Sequence, residues 1–117
     1  MLELKNELNL QPDHLPALVS LSAELLKRGD ASAALPYVER AVRLAPNNFA
    51  ARTTHGRALV ELNRLEEGIQ DLRYAVQLEP GSAQAHYSLA TAYARAGMKE
   101  EAARERAEFV RLKQKSP

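Results

Sequence analysis

The chain has 117 residues, a formal net charge of +1 and no cysteine. This length suits one ordinary core or a short array of repeats. The near-neutral charge gives no sign of a polyanion or a membrane surface as the main ligand, and the lack of cysteine excludes disulfides and thiol chemistry. Hydrophobic residues make up 45% of the chain but aromatic residues only 5%, which favours closely packed helices over a sheet. The compartment stays open, because the chain shows no address.

Three prolines, Pro12, Pro46 and Pro80, are each separated from the next by 34 residues. Aligned on them, the chain divides almost without gaps into three units, and a fixed period of this length is typical of stacked repeats. We therefore expect a single domain over residues 1–117. It comprises a partial helix or N-terminal cap (1–11), unit one (12–45), unit two (46–79), unit three (80–113) and a tail (114–117).

Each unit carries two stretches of helical periodicity joined by a very short turn. Gly29, Asn63 and Gly97 occupy the turns, where a left-handed backbone suits glycine or asparagine. Pro36 lies about one turn into a helix and is expected to loosen that turn. The predicted helices span approximately residues 14–28, 30–44, 48–62, 66–79, 82–96 and 99–114.

The first eleven residues contain Leu4, Leu8 and Leu10 at helical spacing. In the repeat register they correspond to the end of a second helix whose first helix is missing. One interpretation is an ordinary capping helix. The other is a chain cut from a longer array, which would leave these leucines available for self-association.

Small residues recur at two places in the register, where larger side chains would force paired helices apart. Leu25, Leu59 and Tyr93 fill the next layer, also in register. A single hairpin cannot cover its own apolar face, so neighbouring hairpins must stack. The small residues are Ser22, Gly56 and Ala90 at the first place and Ala34, Gly68 and Ala102 at the second.

Together with the 34-residue period and the prolines, these residues resemble the tetratricopeptide repeat family over residues 12–113. The resemblance implies an all-α fold, a right-handed α-solenoid of stacked antiparallel helical hairpins. Arg52 and His86 depart from it, because they stand where the family often has tryptophan. His55 stands where the other units have leucine, and a polar residue there needs a partner or an exit to solvent. We expect a local weakness in the first helix of unit two.

The third unit ends differently from the other two. Twenty-six residues after its proline it has Arg106, where unit one has Val38 and unit two has Leu72. An arginine at this place predicts that no further hairpin packs there, and hence a true C-terminus beside an incomplete N-terminus.

Catalytic and metal-binding patterns are missing from the sequence. His14, His55 and His86 are too far apart for a ligand set, and the adjacent carboxylates at residues 66–67 and 100–101 suit helix starts. Phosphate loops and nucleophile motifs are also absent. We predict a chain that is not an enzyme, with no cofactor and no metal.

The resemblance implies that the first helix of each hairpin lines the concave side of the solenoid. Either this face is merely solvated, or it is a groove for an extended or helical peptide. In the second case Tyr87 would be an amphipathic anchor, and Arg57 and Arg95 would bind a carboxylate. The candidate groove residues are Val19, Ala23, Leu26, Thr53, Thr54, Arg57, Val60, Tyr87, Ser88, Thr91 and Arg95.

The partner is therefore predicted to be a protein or peptide, with no nucleic acid or membrane. The family's carboxylate clamp is not matched, since its places hold Val19, Ala23, Thr54, Gln84 and Ser88. We expect no micromolar binding of an EEVD-ending peptide. Two alternatives remain: an accessory or oligomerisation domain of an attached enzyme, and an RNA-binding helical repeat. The second is disfavoured by the 34-residue period and the nearly neutral groove.

Overall fold

A computed structural model describes residues 13–115, and within that range the chain forms six α-helices and no strand. Every predicted helix between residues 13 and 115 is confirmed, and each lies within one residue of its expected ends. The helix proposed for residues 2–11 lies outside the described residues. The six helices are α1 (Leu15–Lys27), α2 (Ala31–Leu44), α3 (Phe49–Glu61), α4 (Leu65–Leu78), α5 (Ala83–Arg95) and α6 (Lys99–Lys115).

The first helix of every unit begins at the same place in the register. His14, Asn48 and Ser82 are the N-cap residues, and each side chain accepts a hydrogen bond from the backbone N–H three residues later. Such caps satisfy a donor that the helix itself leaves unpaired. The 34-residue period therefore recurs in the chemistry of the helix starts as well as in the apolar pattern.

Each hairpin turns through one residue with a left-handed backbone. The φ angles are 83° at Gly29, 64° at Asn63 and 77° at Gly97, which confirms the prediction for all three turns. Asparagine is among the residues that tolerate this conformation best after glycine. Pro36 lies inside α2, which nevertheless runs unbroken from Ala31 to Leu44.

The two helices of unit two approach each other through paired glycines. A Cβ placed on Gly68 would lie 2.7 Å from Cγ2 of Val60 and 2.9 Å from the backbone oxygen of Gly56. One placed on Gly56 would lie 2.7 Å from Cγ of Leu72. Both glycines are buried, so α3 and α4 are closer than any larger residue would allow.

Successive hairpins stack along the array. The second helix of each unit packs on the first helix of the next, α2 on α3 and α4 on α5, and the first helices also touch one another. Val38 and Leu72 are almost completely buried at these junctions, whereas Arg106 is exposed at the same place in unit three. The all-α solenoid predicted from the sequence is confirmed.

A polar bridge replaces the expected apolar contact inside unit two. The guanidinium of Arg52 donates to the backbone oxygen of Pro46 at 2.7 Å and to Oδ1 of Asp71 at 2.9 Å. Nδ1 of His55 faces the other carboxylate oxygen of Asp71. His55 thus has a carboxylate neighbour at ion-pair distance, although neither Nδ1 of His55 nor Oδ2 of Asp71 makes a hydrogen bond within residues 13–115. The helix α3 is continuous through this place.

Unit three repeats this bridge in register. Nε2 of His86 lies 2.8 Å from the oxygen of Pro80, which can only accept, and Nδ1 lies 2.6 Å from Oε1 of Glu105. Unit one has Leu18 and Tyr37 at the corresponding places, so apolar packing takes over there. Equivalent places in the three units can therefore hold either a polar bridge or an apolar contact, because both join the first helix of the unit to the second.

Candidate partner-binding groove

A cavity of about 310 Å³ opens across the first helices of all three units. We call it the central cavity. Residues of α1, α3 and α5 contribute most of its wall, so it exists only because the hairpins stack in register. It is lined by Leu26, Lys27, Gly29, Arg57, Val60, Glu61, Leu72, Gln84, Tyr87, Ser88 and Thr91.

The floor of the central cavity is apolar and part of its rim is positively charged. Leu26, Val60 and Leu72 are all buried, with Leu72 only 1% exposed. Lys27 and Arg57 are exposed. Neither makes a hydrogen bond or ion pair with any residue between 13 and 115. The cavity therefore offers an apolar contact beside two cations that have no counter-ion in the described chain.

Tyr87 stands exposed at the edge of this cavity, with 51% of its surface accessible. Its ring is supported from behind by Phe109 of α6, with the ring centroids 5.2 Å apart and the planes inclined at 54°. Tilted aromatic pairs of this kind are favourable. Support from Phe109 limits the freedom of the ring, so less conformational entropy is lost when a partner covers it.

Arg95 is not available in the way that Arg57 is. Its Nη1 donates to the backbone oxygen of Val60 at 3.1 Å and lies 3.7 Å from Oε1 of Glu61. Arg95, which was predicted to bind a partner carboxylate, thus already contacts two residues of the chain itself. A partner carboxylate at Arg95 would have to compete with Glu61.

A second cavity, of about 420 Å³, lies beyond Tyr87 on the outer side of unit three. We call it the terminal cavity. It shares Tyr87 and Thr91 with the central cavity, so the two cavities are adjacent. Its lining residues are Tyr87, Ala90, Thr91, Ala94, Arg95 and Arg106.

The structure brings together seven of the eleven predicted groove residues. Leu26, Arg57, Val60, Ser88 and the two shared residues line the central cavity, and Arg95 lines the terminal one. The remaining four line neither cavity: Thr53 and Thr54 are buried, and Val19 and Ala23 are half-buried.

Eight lining residues are not among the eleven candidates: Lys27, Gly29, Glu61, Leu72, Gln84, Ala90, Ala94 and Arg106. Lys27, in unit one, lies on the helix face that the sequence already assigned to the groove, although it is not one of the eleven candidates. Arg106 was instead interpreted as covering the end of the array, and its charge was the signal that could have placed it in a carboxylate-binding groove. Gln84 was considered only for the clamp. Leu72 was assigned to hairpin stacking, and no sequence signal shows that the same side chain also reaches a cavity floor.

Residues 13–115 contain no cluster of three or more histidine, aspartate or glutamate side chains placed to hold a metal ion. Among these described residues, no helix has both the length and the apolarity needed to cross a lipid bilayer.

Comparison with known proteins decides the family. One model, described as a tetratricopeptide repeat, matches residues 25–70, and another, described as a TPR repeat, matches residues 56–97. The chain belongs to the tetratricopeptide repeat family. The two matches overlap and together cover residues 25–97, which include all of unit two and parts of units one and three.

Two curated relatives show how such repeats are placed in longer proteins. The inactive TPR repeat-containing thioredoxin TTL3 of Arabidopsis thaliana is 36% identical over 87 residues, which is 74% of this chain and 13% of TTL3. The tetratricopeptide repeat and J domain-containing co-chaperone DNJ1 of Fusarium oxysporum f. sp. lycopersici is 31% identical over 94 residues. That match covers 75% of this chain and 18% of DNJ1. The chain thus spans less than a fifth of either relative.

Solved structures of MamA have the same fold. MamA 41-end from Desulfovibrio magneticus RS-1 superposes with a TM-score of 0.86 at 30% identity, covering 95% of this chain and 63% of that one. MamA AMB-1 gives 0.83 at 26% identity, covering 97% and 67%. The repeats and these neighbours support a role for the tetratricopeptide repeat array as a protein–protein interaction scaffold.

Proposed function

We propose that this chain binds a segment of a partner protein in the groove formed by the central and terminal cavities. The observation that carries the proposal is the juxtaposition of an apolar floor, two cations without a counter-ion between residues 13 and 115, and the supported, exposed ring of Tyr87. Aromatic and arginine side chains of this kind dominate the energetics of protein interfaces.

The groove favours binding over catalysis. Glu61 is the single carboxylate that lines either cavity, and it lies within ion-pair distance of Arg95. Within the described chain, the linings contain no histidine and no second carboxylate with which Glu61 could form an acid–base pair. We therefore propose a non-enzymatic role for the described part of the chain.

Affinity capture tests the proposal. The purified wild-type chain, an Arg57→Glu/Tyr87→Ala double variant and an Arg73→Glu variant are immobilised and exposed to lysate, and captured proteins are identified by mass spectrometry. Arg73 is exposed on α4 and lines neither cavity, so it is the matched control. We expect a protein that the wild type and the control retain and the double variant loses.

Equal capture by all three proteins contradicts the groove proposal. Far-ultraviolet circular dichroism of each variant establishes that a lost partner reflects the lost surface and not an unfolded chain.

A second candidate is an accessory domain that positions or oligomerises an attached enzyme. The relatives favour it, because they are named as thioredoxin or J-domain proteins and this chain matches only 13% or 18% of their length. If Arg57→Glu in the full gene product changes the activity of an adjoining catalytic domain while capture is unaffected, the accessory role is supported over independent partner binding.

A further inference from the structure

We infer that the partner segment runs in an extended conformation across Tyr87, from the central into the terminal cavity. The segment carries one apolar side chain with one acidic side chain before it and one after it. One carboxylate is bound by Lys27 and Arg57, and the other by Arg106. This inference rests on the proposed function, because it specifies which protein segment the groove selects.

Continuity of the two cavities sets the path of the segment. Both are lined by Tyr87 and Thr91, and the Thr91 hydroxyl donates to the backbone oxygen of Tyr87 at 3.1 Å. A chain that leaves the central cavity over the tyrosine ring therefore enters the terminal cavity directly. A segment ending at Tyr87 would leave the second cavity unused.

Charge sets the chemistry of the segment. Lys27, Arg57 and Arg106 are exposed and make no hydrogen bond or ion pair within residues 13–115. Glu61, the only carboxylate on either lining, is already beside Arg95. The groove is left with unbalanced positive charge, which corrects the nearly neutral groove expected from the sequence. Carboxylates of a partner complement this charge.

The floor of the central cavity sets the position of the apolar side chain. Leu26, Val60 and Leu72 present carbon surface in the same cavity that Lys27, Arg57 and Tyr87 line. A branched aliphatic side chain placed on this floor is itself removed from water, and that burial is favourable. The floor contributes contact more than newly buried area, because its residues are already covered.

Helix spacing sets the separation of the two acidic residues. Arg57 is on α3 and Arg106 on α6, two helix-to-helix steps apart by way of α5. Packed helices lie about 8–10 Å apart, so two steps correspond to about 16–20 Å between the helix axes. An extended chain advances about 3.3 Å per residue, which places the acidic residues about five or six positions apart. This distance distinguishes the segment from an acidic chain end with neighbouring carboxylates.

Selection from a peptide library tests the inference. Random 12-residue peptides are displayed and selected on the wild-type chain. Constant linkers join both ends of each peptide, so that no C-terminal carboxylate is available for binding. We expect enrichment of aspartate or glutamate pairs five or six positions apart with leucine, isoleucine, valine or methionine between them.

Charge reversal then assigns each carboxylate. With a selected peptide, Arg57→Glu and Arg106→Glu are each expected to weaken binding about 10- to 100-fold, the usual range for losing a charge-assisted hydrogen bond. Arg73→Glu, the matched control, should leave binding unchanged within about twofold. Replacing one acidic residue of the peptide by lysine should restore binding to the corresponding glutamate variant only.

The outcomes separate the inference from the function on which it rests. Peptides that need Tyr87 and Arg57 but carry no spaced acidic pair overturn the inference and leave the proposed function standing. A library without groove-dependent binders overturns both. Self-association of the wild type in sedimentation, lost with Arg57→Glu, assigns the groove to a second copy and also overturns the inference.

Discussion

Equivalent places in units two and three lie in opposite environments. Leu72 and Arg106 stand at the same distance from the proline of their unit, as do Ala75 and Phe109. At the junction between the two units, Leu72 and Ala75 are buried beneath the next hairpin, at 1% and 0% exposure. On the outer face of unit three, Arg106 is exposed and Phe109 is half-buried against Tyr87. A position in a repeat therefore has no fixed energetic role. The neighbour that covers it decides whether it stabilises the array or remains available for a partner.

This difference explains why the candidate groove extends onto the outer side of unit three. In units one and two, the face beside the second helix is occupied by the following hairpin. In unit three that face is open within the described residues and becomes the terminal cavity. The stacking contact of an internal unit and the proposed binding contact of the last unit use equivalent surfaces.

Substitution at equivalent places tests the comparison most directly. Leu72→Ala should lower the free energy of unfolding by about 2–5 kcal/mol, because it leaves a cavity in a closely packed junction. Arg106→Ala should change it by no more than about 0.5 kcal/mol, as for an exposed residue. Urea unfolding followed by circular dichroism measures both. Comparable losses at the two places would show that the outer face of unit three is covered in solution.

A smaller effect is expected inside the hairpin of unit two. Gly68→Val should cost roughly 1–3 kcal/mol, because the new side chain would overlap Val60 and the backbone oxygen of Gly56. Gly81→Val is the matched control. Nothing lies within 4 Å of a Cβ at that glycine, so a change within about 0.5 kcal/mol is expected. Equal stability of the two variants would contradict the close approach of α3 and α4.

The smallest effect belongs to an exposed pair at the start of α4. The forked hydrogen bond from Arg64, at 3.0 and 2.8 Å, holds the pKa of Glu67 below its usual range. Because this pKa is lower in the folded chain than in the unfolded one, the stabilisation is present above the unfolded pKa. It is lost as the pH falls through the folded value. The contribution is small, since the pair is surrounded by water.

Carbon-13 NMR titration of the Glu67 carboxyl measures this shift. Arg64→Ala should move the pKa of Glu67 upward, and Arg64→Lys, which keeps the charge but loses the fork, should give an intermediate value. An unchanged titration curve in Arg64→Ala would exclude the hydrogen bond as the cause.

Local sequence was sufficient for the helices and their turns. The 34-residue period, the caps at Asn48 and Ser82 and the left-handed residues of the turns depend on interactions within a few positions of the chain. The small residues at 56 and 68 also predicted the close approach of paired helices, because few other side chains fit that separation. These features were enough to predict the solenoid from the sequence, before any contact between units was known.

Only the tertiary structure decided which charged residues remain unpaired. From the sequence, Arg57 and Arg95 were equivalent candidates for a carboxylate, yet Arg95 donates to Val60 and lies beside Glu61 while Arg57 has no such partner within residues 13–115. Asp71 was likewise not predicted as the partner of Arg52 and His55. The physical reason is the reach of long polar side chains, which join residues 19 to 35 positions apart. Their pairing depends on rotamers and helix separations that no local pattern encodes.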